Sequence, residues 1–97
     1  MYSKMESDIK QIERVSKALS DPYRLKMMEA IKKQKDWMQC SAVVEMFELA
    51  QSTVSHHLKQ LVDAELLISE KDGRCAKYKI NKESVSDYVK FFNGFGN

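Results

Sequence analysis

The sequence predicts a mostly α-helical domain carrying one small β-hairpin. Three observations lead there. Apolar residues recur at three- and four-residue steps along most of the chain, the period of one helix face. That period gives way to alternation only after Ala64, around the turn dipeptide Asp72-Gly73. Length and composition complete the case: 97 residues, 43% hydrophobic and 31% charged, fit a single folded domain over 1–97.

The first helix is expected over about 5–19, where Ile9, Ile12, Val15 and Leu19 share a face. Ser20-Asp21-Pro22 stops it and starts the next: Asp21 caps, and Pro22 takes the first helical position, where its missing N–H is harmless. The second helix runs to about Gln34, with Leu25, Met28 and Ile31 facing inward and lysines crowding its C-terminal end. Asp36 to Gln39 is a connector with a short extended piece at Trp37-Met38. A third helix over 41–48 carries Val43, Val44 and Phe47, and a break at 49–52 separates it from a fourth over 52–64. Val54, Leu58, Leu61 and Val62 form the buried stripe of that fourth helix.

Leu66 to Lys71 and Arg74 to Ile80 then read as two strands. Asp72-Gly73 joins them as a type I′ turn, whose central residues both need positive φ. Asn81 caps a last helix over 82–93, where Val85, Tyr88, Val89 and Phe92 make an apolar stripe with Phe91 and Phe95 beside it.

Two short helices, a tight break and a two-stranded hairpin make a winged helix-turn-helix: five helices and a two-stranded wing. A helix fits the DNA major groove and can present short polar side chains to base edges. The N-terminal half of the fourth helix supplies Gln51, Ser52, Thr53, Ser55 and His56, with Lys59 a turn further on, as candidate DNA contacts. The same hydroxyls also suit helix capping. His56 and His57 point about 100° apart on a helix, so His56 is expected outward and His57 toward the wing or a phosphate. Lys71, Arg74 and Lys77 add contacts from the hairpin. Over 71–82, five basic residues face Asp72 alone, a net +4 in a chain whose total is +2.

In this order and spacing, residues 18–28 (ALSDPYRLKMM), 51–61 (QSTVSHHLKQL) and the hairpin DGRCAKYKI resemble the ArsR/SmtB family of bacterial repressors over about 12–92. The resemblance implies a homodimeric repressor that binds a palindromic operator in double-stranded DNA and leaves it on a signal. It also implies where a metal would bind, and the residues do not fit. The positions of the paired cysteines at the third helix hold Gln39 and Ser41, with Cys40 between them. The last helix offers Glu83 and Asp87 but no histidine. A transition-metal site needs three or four converging ligands, so no metal or other cofactor is expected. Relatives that sense oxidants do so through paired cysteines on the second and last helices, and neither helix has one here. Cys40 and Cys75 fall in different elements, and no disulfide between them is expected. Two departures from the family pattern leave helix ends less well satisfied. Ala50 stands where a serine usually caps, and Glu65 where a glycine usually ends the helix, each costing at most about 1 kcal/mol.

A chain this small has a marginal core, and a second subunit would supply the rest. Ile9, Ile12 and Leu19 of the first helix and Val85, Tyr88, Val89 and Phe92 of the last are the candidate dimer contacts, although both stripes could also pack within one subunit. No apolar run reaches the length of a membrane span, and the polar N-terminus does not resemble a signal peptide. A cytoplasmic, non-enzymatic DNA-binding repressor is therefore expected, with its inducer unidentified. The alternatives are a winged-helix protein–protein module and a repressor controlled by modification of a thiol such as Cys75.

Overall fold

The computed structural model describes residues 2–96, with side chains described over 9–96. Its elements follow in the order α1 (Tyr2–Ala18), α2 (Pro22–Lys32), β1 (Met38–Gln39), α3 (Cys40–Phe47), α4 (Gln51–Asp63), β2 (Leu67–Asp72), β3 (Cys75–Ile80) and α5 (Lys82–Asn93). The expected caps form. Asp21 accepts from the backbone N–H of Tyr23 and Arg24 with Pro22 behind it, and Asn81 accepts from the N–H of Ser84.

The sheet has three strands, not two. The extended piece after Trp37 is β1, paired antiparallel to β3 with Met38 opposite Tyr78 and Gln39 opposite Lys77, so the order is β1-β3-β2. Burial drives this pairing, because Met38 and Tyr78 both drop into the core. The hairpin turn is also displaced by one residue. Asp72 pairs with Cys75, leaving Gly73-Arg74 as the loop. Positive φ falls on Gly73 alone (68°), the pattern of a II′ rather than a I′ turn.

The core joins Val15 of α1, Met27 and Ile31 of α2, Val43 of α3, the α4 stripe Val54, Leu58 and Leu61, Leu66 just before β2 and Leu67 at its start. One expected core residue is displaced. Leu25 is 50% exposed, and Met27 is buried in its stead. The inward stripe of α2 runs 24, 27, 28 and 31, so Arg24 occupies the face expected for leucine. The helix also stops at Lys32, short of Gln34. From α1, Gln11 Nε2 donates to the carbonyl of Ala64 at 2.8 Å and ties the first helix to the end of α4. Leu19, Val85 and Tyr88, expected at a dimer contact, are half-buried and pack on the protomer's own core.

Candidate nucleic-acid interface

Residue spacing gives α4 two sharply different faces. Val54, Leu58 and Leu61 are fully buried, whereas Gln51, Ser52, Thr53, Ser55, His56 and Lys59 are all exposed. The residue at the cap position is Ala50, which makes no side-chain bond to the first turn. The hydroxyls of Ser52, Thr53 and Ser55 take no side-chain hydrogen bond among the described residues, so capping does not consume them. The helix thus presents open backbone N–H groups and unengaged hydroxyls at its positive end, an arrangement that suits a phosphate.

The wing divides the basic residues between two faces. Lys71 and Arg74, at its tip, line one cleft of about 610 Å³ together with Gln51 and Ser55 of α4. Lys77 does not join them. Its ammonium group lies 3.5 Å from Glu70 and 5.0 Å from the centre of the Trp37 ring, where Lys79 sits at 4.6 Å. Cross-strand pairing explains this, because Glu70 is opposite Lys77 and both point to the outer face of the sheet. Lys59 is exposed but pairs with Asp63 at 2.9 Å one turn along α4. The single +4 patch expected from the sequence is therefore split between the wing tip and the sheet's outer face.

Both cysteines are free thiols, Cys40 buried and Cys75 exposed, and both line the cleft that holds Gln51 and Arg74. Their distance in sequence gave no reason to expect this. Burial, with Cys40 beside it, pushes the phenol of Tyr78 above its ordinary range, so it stays neutral at the cleft floor. Gln39 holds the wing tip by donating from Nε2 to Asp72 at 2.8 Å. Among the described residues, no group of three or more His, Cys, Asp or Glu side chains is placed to hold a metal.

His57 corrects a further expectation. It turns toward α2, where its ring stacks on Tyr23 at 6.0 Å and its Nδ1 lies 3.2 Å from a guanidinium nitrogen of Arg24. Guanidinium only donates, so Nδ1 accepts and the imidazole carries its proton on Nε2. Arg24 also donates from Nε to the carbonyl of Ala18 at 2.6 Å and from Nη2 to the carbonyl of Lys17 at 3.3 Å. It therefore closes the end of α1 and braces α4 at once. Beside it, partial burial of Asp21 opposes ionisation, but the N–H groups of Arg24 and Tyr23 and the Arg24 charge outweigh that and hold its carboxyl below the usual range. This brace was missed in the sequence. Its signals were the forced inward turn of one of two adjacent histidines and the arginine on the apolar stripe of α2.

A polar recognition helix backed by an apolar stripe, packed beside a basic β-wing, defines the winged helix-turn-helix class of DNA-binding domains. Residues 21–69 match the family model of bacterial regulatory proteins of the arsR family. The chain is 35% identical over 85 residues to the arsenical resistance operon repressor of Staphylococcus xylosus, covering 82% of this chain and 74% of the relative. It is 30% identical to the transcriptional repressor SdpR of Bacillus subtilis, covering 86% of this chain and 90% of that one. The chain belongs to the ArsR family of transcriptional regulators. Solved structures agree on the fold. An ArsR-like regulator from Rhodococcus sp. RHA1 superposes with a TM-score of 0.77 at 19% identity, covering 91% of this chain and 81% of that one. A Mycobacterium bovis domain described as a homodimeric winged helix-turn-helix superposes with a TM-score of 0.72 at 19% identity, with the same coverage of 91% and 81%. No helix of the described residues is long and apolar enough to cross a membrane.

Proposed function

We propose that this chain is a cytoplasmic homodimeric repressor that binds a palindromic operator, reading bases with Gln51, Ser52, Thr53, Ser55 and His56 and holding phosphates with Lys71 and Arg74. The observation that carries this reading is the shared cleft. Two polar side chains of α4 and the two wing-tip cations meet there, opposite a fully buried apolar stripe. Lys59 and Lys77 have secondary places, because each already holds a carboxylate. Two such domains related by a two-fold axis would read two half-sites.

The relatives include repressors of arsenical resistance, yet the positions of the family's cysteine pair hold Gln39 and Ser41, and Gln39 is engaged with Asp72. The proposed signal is therefore not a metal held at those positions. The reading is tested by gel shift on the DNA upstream of the chain's own gene at several salt concentrations. A sequence-preferring, salt-sensitive complex is expected, and no shift at low salt overturns it. A second reading concerns control. Cys75 is exposed within the same cleft, so a group attached to its thiol would occupy the space a DNA backbone needs. Alkylation of the free protein should then abolish the shift, and Cys75→Ser should make the complex resistant.

A further inference from the structure

A cavity larger than the wing cleft lies away from the recognition helix. It is a groove of about 1090 Å³ between the end of α2, the sheet and the start of α5. Its apolar lining comes from four elements: Met28 and Ile31 of α2, Ile68 of β2, Ile80 of β3 and Val85 of α5. Ile68 is 40% exposed there, on the sheet face away from the core. Five lysines surround that lining. Lys32, Lys33 and Lys35 come from α2 and its exit, and Lys79 and Lys82 come from β3 and the start of α5. The carboxylates Glu29, Asp36 and Glu83 also line the groove, but among the described residues none pairs with any of these lysines.

We infer that this groove binds a small amphiphilic anion, an apolar chain or ring system ending in a carboxylate. Each half of the site selects one half of that ligand. An uncharged apolar molecule would leave the lysines unused, and an inorganic anion would leave Ile68 and its neighbours in water. The groove's size is of the order of small-ligand pockets, which run to roughly 1,000 Å³. No residue of α4 or of the Gly73-Arg74 loop contributes to it, so the site is separate from the proposed DNA face and does not rest on that reading. The groove does reach α5 and, through Lys79, the ring of Trp37. A bound carboxylate that draws Lys79 off the indole would change the emission of the chain's one tryptophan.

Laurate is a suitable probe, titrated below its micelle concentration into the full chain and followed by Trp37 emission and calorimetry. Saturable binding is expected, with a dissociation constant near 0.1–1 mM, roughly what a ligand of this size attains. Lys32→Gln with Lys82→Gln should weaken it about fivefold, the order expected for two partly exposed ion pairs. Ile68→Ser should weaken it through the apolar lining, Lys10→Gln on α1 should not change it, and dodecanol should bind less tightly than laurate. The assignment is overturned if no saturable signal develops by about 5 mM, several-fold above the weakest constant expected. It is equally overturned if the groove variants bind like the unaltered chain, or if dodecanol binds as tightly as laurate.

Discussion

Glu65 holds φ at 62°, in the left-handed region that side chains with a Cβ adopt at a cost. It does so because the end of α4 needs it there. The N–H of Glu65 reaches the carbonyl of Val62 at 2.9 Å, and that of Leu66 reaches the carbonyl of Leu61 at 3.0 Å, the two bonds of a Schellman motif. The carbonyls are thus satisfied, and the departure from glycine appears as backbone strain rather than as missing bonds. Glu65→Gly should stabilise the fold by about 1 kcal/mol, raising the thermal midpoint by roughly 4–8 °C in a calorimetric scan. Arg24 is the opposite case, a residue whose replacement has no good substitute. Its planar fork reaches two carbonyls and His57 together, which an ammonium group cannot do. Arg24→Lys should therefore destabilise by about 1–3 kcal/mol in denaturant titration, with the slope of the transition unchanged.

At the scale of elements, the two-faced character of α4 was legible in the sequence because Val54, Leu58 and Leu61 repeat at helical spacing and everything between them is polar. The existence of β1 as a ladder partner was less so. Two residues carry no period, and Met38 is placed by a strand 40 positions away. The displaced turn has a similar cause, since register follows the burial of Leu67 and Tyr78 rather than the most turn-like dipeptide. Lys77 looked like its neighbours in a basic run, and only the sheet's pairing with Glu70 and the approach of Trp37 separate it from Lys71 and Arg74. That separation has a measurable consequence. Plots of log affinity against log salt for the operator complex should lose about four units of slope in the double variant Lys71→Ala, Arg74→Ala, two from each protomer of the proposed dimer. Lys79→Ala, on the outer face, should leave the slope nearly unchanged.

For the whole molecule, α5 poses the sharpest question of stability. None of its 12 residues is fully buried, and helices of that length are marginal in water without packing. Val85 and Tyr88 rest on the protomer's core, and the Tyr88 hydroxyl lies 3.3 Å from Ser16 Oγ on α1. The same stripe also carries Val89, 48% exposed, and Phe92, 62% exposed, and beyond the helix end stands Phe95, 73% exposed. These rings form a continuous apolar run, with Tyr88 stacked on Phe92 at 6.2 Å and Phe92 against Phe95 at 5.9 Å. Ile9 on α1 is 53% exposed as well. The seven expected contact residues thus divide. Ile9, Val89 and Phe92 remain available to a second copy, Ile12 is half-buried, and Leu19, Val85 and Tyr88 serve the protomer's own core. A two-fold contact built on the available group joins folding to association, so the thermal midpoint should rise with protein concentration. Val89→Asp with Phe92→Asp should abolish that dependence and shift sedimentation from twice 11.3 kDa to a single chain. In the proposed arrangement of one half-site per protomer, the same variant should lose most of its operator affinity while keeping every proposed DNA contact. A variant that still sediments as a dimer would remove α5 from the interface.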